Sequence, residues 1–525
     1  MKTLYFNGNI ITMTSQPMPQ SVLCENGKIL AAGDYGILSE YADDFYDLKG
    51  KTMLPAFIDG HSHFTTVANT LAIADLSMAK NIEEILNILQ NFKTDKGKIE
   101  KDEFIVGFGY DNNFFPDKRH PTKSDLDKIS TEIPIVISHA SGHMGVANTK
   151  ALEIMGLDEN TPDPDGGVIG RNADGSLTGY LEETAFTSNS SVIKQPDYDD
   201  MKKLIKSAEN IYFKYGITTV QDGFTGEKEW VLLKKLSEDK AFTADVVSYI
   251  DINNCKDILS KEKQYNKNYI NNLKIGGYKL FLDGSPQGRT AWMTQPYEND
   301  VNYCGYPIYS DSQVLEFVKQ SVMEQQQLLC HCNGDAAAQQ FIDAFKAADE
   351  QLKTSNNYRP VLIHGQLATP QQMSDVGSLA MIASFFVAHT WQWGDIHIEN
   401  FGKRAYKICP VNTAINNGVV TTFHQDSPVL PPDMMHSVWC AVNRITQSGV
   451  QLDKEESVTV YDALKAITIN RAYQYGEENT KGTIERGKDA SFAILTDNPL
   501  ICDKLELNKI KVDTTILRGN VVFKL

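Results

Sequence analysis

Met53-Leu-Pro-Ala-Phe-Ile-Asp-Gly-His-Ser-His63 is the stretch from which the fold of this chain can first be predicted. An apolar run ends there in two histidines that stand one residue apart. Side chains alternate along a strand, so His61 and His63 would point to the same side of one. Two imidazoles at a strand end are half of a transition-metal site. Two surface histidines would give the same short pattern, so the metal hypothesis depends on further ligands elsewhere in the chain.

Composition limits the class of protein. A chain of 525 residues predicts one large domain with additions, or two to three domains. Hydrophobic residues make up 42% of it and charged residues 22%, so a sizeable core is available and long disorder is not expected. The formal net charge of -17 repels phosphate backbones and argues against nucleic acid as a partner.

The termini and the apolar runs predict a soluble, cytoplasmic protein with no membrane partner. The N-terminus lacks the long apolar core of a signal peptide. The longest apolar run, Leu379–Ala388, is far shorter than the roughly 20 residues of a membrane span. Eight cysteines in so long a chain do not make a disulfide framework. The expected partner is a small-molecule substrate, and a homodimer is left open.

The two chain ends share one pattern. Residues 1–55 and 480–525 consist of short β-prone pieces separated by turn signals such as Asn7-Gly8 and Asn26-Gly27. Neither end carries enough apolar surface to fold alone. We therefore predict that they pair into one composite β-sandwich on which the middle of the chain is mounted.

The middle of the chain alternates strands and helices. Counting the strand that leads to His61, the β-prone segments number eight; the other seven are 217–222, 244–250, 275–283, 328–333, 360–364, 379–386 and 419–426. Helical periodicity lies between most of them, as in 198–216 and 311–327. The pattern predicts an α/β fold, a (β/α)₈ TIM-type barrel formed by 56–102 plus 196–479. Doubly wound sheets alternate in the same way, so the count alone is suggestive.

One interval is too long for a single crossover between strands. Residues 103–195 contain their own strand-like pieces and a turn-rich stretch, Thr161-Pro-Asp-Pro-Asp-Gly-Gly167. We predict an inserted subdomain after the first barrel strand. The βα loops form the active face of a barrel, so an insertion there would lie over the active site.

Histidines and carboxylates fall at the predicted strand ends. His61 and His63 end the first strand, His331 the fifth, His364 the sixth and Asp426 the eighth. Singly, His364 could be a core histidine and Asp426 a helix cap. In a barrel, however, these strand ends converge on one mouth. The joint placement therefore predicts a metal site.

Lys279 lies inside the fourth predicted strand, between apolar residues. A charged lysine is costly there unless it is paired, and Asp283 is the obvious partner for an ion pair. The alternative is an N6-carboxylated lysine. Desolvation lowers the amine pKa, the neutral amine captures carbon dioxide, and the carbamate bridges two cations. Two histidines at each of two metals, this carbamate and Asp426 form a consistent set.

This constellation resembles the amidohydrolase superfamily, and most closely the branch of YtcJ-like metal-dependent hydrolases and N-substituted formamide deformylases. The resemblance covers essentially the whole chain. Besides Leu54–His63, it rests on Ser141-Gly-His-Met-Gly-Val-Ala-Asn148, Thr161–Gly167, Thr178-Gly-Tyr-Leu-Glu-Glu-Thr-Ala185, Lys279-Leu-Phe-Leu-Asp-Gly-Ser285, His331-Cys-Asn-Gly-Asp-Ala336, Asp426-Ser-Pro-Val429 and Gly482-Thr-Ile-Glu-Arg-Gly-Lys488. It implies a sandwich plus barrel, a divalent metal centre of the zinc type with one or two ions, and hydrolysis of amide-like carbon–nitrogen bonds.

The expected chemistry follows from that site. A metal lowers the pKa of water and polarises a carbonyl group. Asp426 would take the proton of the attacking water and pass it to the leaving amine, unless it serves as a structural ligand only. His331 and His364 would hold a second metal. The expected activity is that of an amidohydrolase acting on non-peptide C–N bonds in N-acyl or N-formyl amines.

The residues above the metal are less specified by the sequence. Such enzymes often have Gly-Ser before the terminal aspartate, where this chain has His424-Gln425. His424 is open to the role of a partner to a ligand, a substrate contact or an extra ligand. His143 could equally be a loop histidine, and Arg444 a structural ion-pair partner. The substrate-contact candidates are Tyr110, Asp111, His143, Asn148, Arg289, His424 and Arg444.

Three rival functions remain open on sequence grounds. A mononuclear heterocycle deaminase does not use the lysine, so Lys279 argues against it. Lactone or phosphoester hydrolysis could use the same dinuclear centre. A catalytically inert metal-binding regulatory protein is the non-enzyme alternative, and the full ligand set with Asp426 argues against it.

Overall fold

Two units make up the part of the chain that the structure describes. The computed structural model describes residues 1–15, 18–97, 99, 103–194, 196–298, 300–352 and 358–525. The first unit comprises Met1–Thr65 with Lys206–Leu525, and the second Thr66–Ile205. Residues 102 and 195, at which predicted segments end, lie outside the described residues. Helices Phe64–Thr70 and Tyr198–Lys214 contain the two points where the chain passes between the units.

An eight-stranded parallel sheet is the centre of the first unit. Each strand pairs with the next one along the chain, as expected for a TIM-barrel-type fold. Its carboxyl ends therefore lie on one side. The strands are β1 (Phe57–Ile58), β2 (Ile217–Thr225), β3 (Asp245–Asp251), β4 (Leu273–Phe281), β5 (Gln327–Cys332), β6 (Val361–His364), β7 (Ile382–Phe385) and β8 (Val420–Phe423).

The stretch from Met53 to His63 is not one strand. Thr52–Pro55 belongs to another sheet, and only β1 joins the barrel. Pro55 ends the first piece because it has no N–H to donate to a ladder. His61 and His63 follow β1 in a loop rather than in the strand itself.

The barrel helices begin and end where the sequence supplies caps and breaks. Thr369 caps the helix that starts with Pro370, by accepting a hydrogen bond from the Gln372 amide. The predicted helix 311–327 ends earlier, at Met323, because Gln327 already pairs in β5. Among the described residues, no helix combines the length and the apolarity of a membrane span. After Tyr198–Lys214, the helices are Glu227–Glu238, Asp257–Lys261, Asp311–Met323, Asp335–Leu352, Pro370–Ser378, His389–Gln392, Gly394–Phe401, Val411–Asn416, Met434–Asn443, Val460–Ala466 and Ile469–Gln474.

Side chains of the last helix link the first and last barrel strands. Gln474 donates to the carbonyl of Gly60, two residues after β1, and accepts from the hydroxyl of Thr422 in β8. Arg471 donates to the carbonyl of Ile58, and Asn470 to that of Thr421. Helix Ile469–Gln474 therefore bridges the seam between β1 and β8.

The chain ends form two further sheets in the first unit. Thr52–Pro55 pairs antiparallel with Phe492–Leu495, which joins residues of both ends in one ladder. Tyr5 and Val22 of one sheet share a hydrophobic cluster with Met53 and Phe492 of the other. In sheet order the strands are Asn9–Ile10, Thr52–Pro55, Phe492–Leu495, Val512–Leu517 and Asn520–Lys524, and Lys28–Gly33, Ser21–Glu25, Lys2–Phe6 and Asp44–Asp47.

The second unit has its own six-stranded mixed sheet. Helix Ile82–Lys96 packs its buried Ile85 and Leu89 against Ile105 and Ile135 of that sheet. The unit therefore begins earlier than the predicted insertion of 103–195. In sheet order its strands are Gly167–Arg171, Leu177–Glu183, Met144–Ala147, Ile135–His139, Ile105–Tyr110 and Ala74–Asp75. Its other helices are Lys123–Leu126, Thr149–Met155 and Thr184–Asn189.

Candidate metal centre

Three of the predicted ligands meet at the carboxyl end of the barrel. His63 Nε2 lies 3.3 Å and His61 Nε2 3.5 Å from Asp426 Oδ1. All three ligand atoms lie within 4.8 Å of one another. Asp426 Oδ1 is buried, and it makes no hydrogen bond with any of the described residues. A carboxylate oxygen in that condition, facing two imidazole nitrogens, is an arrangement that a cation would complete.

His331 and His364 form a second pair beside the first group. His331 Nδ1 lies 3.1 Å from His364 Nε2, and His364 Nε2 lies 3.7 Å from Asp426 Oδ2. The two oxygens of Asp426 therefore face both histidine pairs. The structure brings together all four histidines and the aspartate that the sequence predicts as ligands.

Two of these residues have a strained backbone. The φ angle is 72° at His364 and 54° at Asp426, in the left-handed region that favours glycine. Such a conformation costs a non-glycine residue about 1–2 kcal/mol. The turns after β6 and β8 keep a histidine and an aspartate despite this cost, which is typical of functional sites.

The outer nitrogen of each central histidine has a hydrogen-bond partner. His61 Nδ1 lies 2.6 Å from Gln221 Oε1, and His331 Nε2 lies 3.1 Å from the carbonyl of Gly284. His364 Nδ1 lies 3.1 Å from His424 Nε2. When the outer nitrogen donates its proton to these acceptors, the inner nitrogen keeps a lone pair for a metal. The residues present therefore fit a bound divalent ion.

His424 lies behind His364 rather than among the inner ligand atoms. Its Nδ1 is 2.9 Å from the hydroxyl of Ser384 on β7. Burial lowers the pKa of His424 to about 3, so the ring is neutral. His424 can then donate from Nδ1 to Ser384 and accept at Nε2 from His364. Of the roles that the sequence leaves open, this geometry favours a partner that orients a ligand.

Lys279 is fully buried on β4, with its Nζ 3.0 Å from His61 Nε2. Burial lowers its pKa to about 8, which increases the fraction of neutral amine. Asp283 accepts backbone hydrogen bonds from Trp292, Asn333 and Gly334 at 3.0, 2.9 and 2.7 Å. Among the described residues, no ion pair joins Lys279 to Asp283. The amine faces the histidines instead.

The electrostatics of the site suit a cation. Burial, followed by the charge of Lys279, holds the pKa of His61 well below its usual range. Burial and His331 have the same effect on the pKa of His364. Burial alone would raise the pKa of Asp426, but the neighbouring imidazoles hold it well below its usual range. Imidazole nitrogens around one ionised carboxylate are the donor set that a divalent transition metal prefers.

Comparison with known proteins agrees with this geometry. Residues 44–523 match the amidohydrolase family, which is most of the chain. The chain belongs to the amidohydrolase family. Membership confirms the resemblance that the motifs indicate, and it supports metal-dependent hydrolase activity on a TIM-barrel-type fold.

The alignments with individual relatives cover 96–100% of this amidohydrolase. A protein named YtcJ from Bacillus subtilis (strain 168) is 26% identical over 541 residues, which cover 100% of both chains. N-substituted formamide deformylase of Arthrobacter pascens is 27% identical over 538 residues, 98% of this chain and 97% of that one. A solved structure of an uncharacterized metal-dependent hydrolase from Pyrococcus horikoshii OT3 aligns with a TM-score of 0.77 at 26% identity. That alignment covers 96% of this chain and 99% of the other.

Three substrate-contact candidates of the second unit belong to a polar cluster within that unit. The Tyr110 hydroxyl lies 2.9 Å from His120 Nδ1. Asp111 Oδ1 lies 3.3 Å from His139 Nε2, and His143 Nδ1 lies 2.8 Å from Glu183 Oε2. His143 is thus held by a carboxylate and is not an isolated loop histidine.

Asn148 is committed to the local fold of the second unit. Its amide oxygen accepts from the backbone of Ile135 and Ala151, both at 2.9 Å. Its amide nitrogen donates to the carbonyls of Ser130 and Ile133. All its hydrogen-bonding positions are occupied, so we assign Asn148 a structural role in place of the predicted substrate contact.

The two arginine candidates differ in exposure. Arg444 is 1% exposed, and its guanidinium donates to the carbonyls of Tyr406, Ile408, Cys409 and Asp453. We therefore assign it a structural role, through carbonyl groups rather than the expected ion pair. The Arg289 side chain is 39% exposed and lies over the rings of Tyr297 and Tyr303. Its Nη2 pairs with Asp300 at 3.4 Å, and its Nε makes no hydrogen bond with the described residues, so part of the guanidinium is open to a ligand.

The sequence does not single out the groups that orient the ligands. Gln221 holds His61, Ser384 holds His424, and a backbone carbonyl of Gly284 holds His331. A polar side chain inside an apolar strand is a usable signal for Gln221 and Ser384. A backbone carbonyl leaves no signal of this kind in a sequence.

Proposed function

We propose that this amidohydrolase hydrolyses the C–N bond of an amide-type small molecule, an N-acyl or N-formyl amine. The observation that carries the proposal is the position of Asp426. Its two oxygens lie 3.3–3.7 Å from imidazole nitrogens of His61, His63 and His364, and Lys279 lies beside them. The relative named N-substituted formamide deformylase supports a carbonyl attached to nitrogen as the target.

The proposed chemistry assigns each group one task. Zinc, as one or two ions, would lower the pKa of water and polarise the substrate carbonyl. His61, His63, His331 and His364 would hold the metal through their inner nitrogens. Asp426 would accept a proton from the attacking water and deliver it to the departing amine. Its pKa well below the usual range keeps it ionised and able to accept that proton.

Lys279 is proposed to carry the bridge between two ions. With a pKa of about 8, an appreciable fraction of its amine is neutral near pH 7 and can react with carbon dioxide. In that reaction the amine nitrogen adds to the carbon of carbon dioxide and loses one proton. The carbamate would supply two oxygens next to His61. Protein kept in ¹³C-bicarbonate should show a carbamate carbon resonance that Lys279→Gln lacks, and its absence from the metal-loaded protein would rule out the bridge.

Arg289 is our candidate for the residue that recognises the substrate. It follows β4, at the same end of the barrel as the metal centre, and two tyrosine rings and Asp300 hold its guanidinium. A fixed guanidinium pairs well with a substrate carboxylate. Arg289→Ala should raise KM for a substrate that carries a carboxylate and leave kcat nearly unchanged. An equal rise in KM for an uncharged analogue would contradict this role.

We also propose that the two sheets of the chain ends act as one small β-sandwich. The shared cluster of Tyr5, Val22, Met53 and Phe492 supports it, because the apolar faces of both sheets contribute to one core. Deleting residues 480–525 should then leave 1–55 unable to fold, which limited proteolysis would detect as cleavage within 1–55.

The decisive experiment is turnover by the zinc-loaded protein. N-formyl amines, N-acyl amines, lactones and phosphoesters would be supplied in parallel, with release of amine, acid or phosphate as the signal. The proposal expects amine release, its loss on chelation and its return with zinc. Asp426→Asn is the control for adventitious hydrolysis.

Each alternative function predicts a different result in that assay. Turnover of lactones or phosphoesters alone would move the assignment to those substrates. Ammonia release from heterocycles would point to a deaminase. A metal-loaded protein inert across the panel would favour the regulatory, non-catalytic alternative.

A further inference from the structure

A cavity of about 460 Å³ lies at the amino end of the barrel strands, away from the metal centre. Asp245 begins β3 and Gln327 begins β5, and both line it. Lys274, near the start of β4, is also in its wall, five residues before Lys279. At the rise of an extended strand, five residues separate the two by about 16 Å. The cavity is therefore a separate site.

The charge of this wall is opposite to that of the whole protein. Six lysine and arginine side chains line the cavity against three carboxylates. A fourth carboxylate, Glu478, pairs with Arg359 at 2.8 Å from outside the wall, so the local excess is two positive charges. The full chain carries a formal net charge of -17. Positive charge gathered in a concave, partly desolvated space attracts anions more strongly than the same charge spread over a surface.

The carboxylates in the wall are already shared. Asp245 accepts from Lys481 at 2.7 Å and also from Arg518. Glu477 pairs with Lys481 at 2.7 Å and with Lys274. Two acids therefore serve three cations. Lys481 uses its three donors on Asp245, Glu477 and Thr219. Among the described residues, Lys274 donates to Glu477 and to the carbonyl of Tyr475, which leaves one of its three donors for a ligand. Arg518 contacts Asp245 through Nη2 and leaves its Nη1 donors for a ligand.

Among the described residues of the wall, Lys267 is the cation that has no carboxylate partner. Its Nζ donates to the carbonyl of Gln325 at 2.6 Å, and the described residues place no carboxylate within ion-pair distance of it. Lys267 is exposed, so water solvates its ammonium group and a ligand in the cavity can reach it. A bound anion would give this cation a counter-ion.

Aromatic rings hold the cations in place. The ring of Tyr269 lies 4.9 Å from Lys274 Nζ and 5.1 Å from Lys481 Nζ, and the Tyr269 hydroxyl donates to Glu477 at 2.7 Å. Cation–π contacts of this kind restrain flexible lysines. The wall is therefore ordered before a ligand arrives, which lowers the entropic cost of binding.

We propose that this cavity binds a small polyvalent oxyanion, independently of the metal centre. Phosphate and polycarboxylates share the required chemistry, two or more anionic oxygens that several fixed cations can contact. The proposal does not depend on the reaction catalysed at the other end of the barrel.

The test is calorimetric titration of the zinc-loaded, full-length protein with inorganic phosphate and, separately, with citrate at low ionic strength. At least one of them should bind with a stoichiometry of one. Lys267→Glu should weaken binding about tenfold or more, since it replaces an attraction by a repulsion. Lys263→Glu is the matched control: it makes the same charge change on an exposed lysine outside the cavity wall and should leave the affinity within about twofold.

Two further variants separate this site from the metal centre and from unfolding. Asp426→Asn should keep the binding, because it alters only the far end of the barrel. Lys267→Met removes the charge without repulsion and should weaken binding less than Lys267→Glu. Phosphate binding alone would assign a phosphate-type ligand, and citrate binding alone a polycarboxylate. Binding of neither anion, loss of binding in Asp426→Asn, or equal effects of the Lys263 and Lys267 substitutions would each overturn the proposal.

Discussion

The two ends of the barrel treat buried polar groups in opposite ways. At the carboxyl end, Asp426 faces imidazole nitrogens, and no lysine or arginine of the described residues lies within ion-pair distance of it. At the amino end, Glu477 and Asp245 are each paired with two lysine or arginine side chains. A carboxylate without a fixed cation can bind a metal ion, whereas one that is paired with fixed cations stabilises the fold. Metal binding and stability are therefore expected at different ends of the same strands.

The largest effects are expected when a carboxylate is replaced by an amide at each end of the barrel. Asp426→Asn should reduce kcat/KM by about 10²–10⁴-fold, the range expected for loss of a general base. The unfolding free energy should hardly fall. Steady-state kinetics and urea titration measure the two effects. An Asp426→Asn variant of near wild-type activity would remove Asp426 from the mechanism.

The matching substitution at the amino end, Glu477→Gln, should lower the unfolding free energy and leave the activity unchanged. It leaves Lys274 and Lys481 without their shared carboxylate, and breaking such a buried pair costs about 3–5 kcal/mol. Folded protein should retain its kcat.

The stability contributed by Glu477 should also depend on pH. Burial would raise the pKa of Glu477, but Lys481 and Lys274 lower it to about 2. The stabilisation is therefore complete above the unfolded pKa of 4.5 and disappears as the pH falls towards about 2. A stability difference between variant and wild type that does not shrink in acid would contradict this account.

A smaller effect is expected from the groups behind the metal ligands. His424→Ala removes the acceptor for His364 Nδ1 and should weaken zinc binding about 10–100-fold, as measured by chelator competition. His424→Gln, whose amide oxygen can accept the same proton, should recover part of the affinity. Equal losses in both variants would indicate that His424 acts through packing alone.

The smallest effect is expected at the amino end, where an exposed ion pair can be compared with the buried pairs of Glu477. Lys28, whose side chain is 49% exposed, pairs with Asp489 at 2.6 Å. Lys28→Met should cost less than about 1 kcal/mol, and the loss should vanish in concentrated salt. The loss in Glu477→Gln should persist in salt because that pair is buried. Equal salt dependence of the two variants would show that burial does not separate them.

The sequence predicts the barrel and the ligand positions for one reason. Parallel strands end on one side, so His331, His364 and Asp426 could be assigned to a single mouth from strand counting alone. The family resemblance is confirmed on the same motifs. The amino-end cavity could not be anticipated, because Lys28, Asp245 and Arg518 come from distant segments that only the folded chain brings together.

The boundary of the second unit shows a different limit of prediction from the sequence. Helix Ile82–Lys96 is amphipathic, and such a helix can pack on any apolar sheet. The sequence assigns it to the barrel, whereas Ile85 and Leu89 lie in the core of the second unit. Asn148 and Arg444 teach a related lesson. A polar residue that is predicted to contact a substrate can serve the backbone instead.

The seam between β1 and β8 can close only late in the synthesis of the chain. Strand β1 ends at Ile58, but the bridge to β8 needs Gln474. At about 5–20 residues per second, a ribosome leaves the first strand waiting for roughly 20–80 s before that bridge can form. Thr52–Pro55 waits longer still for Phe492–Leu495. Until then, the apolar edges of β1 and of Thr52–Pro55 are unpaired and open to aggregation. The bridge across the barrel seam and the ladder with Phe492–Leu495 can form only after the segments that contain Gln474 and Phe492 have been synthesised.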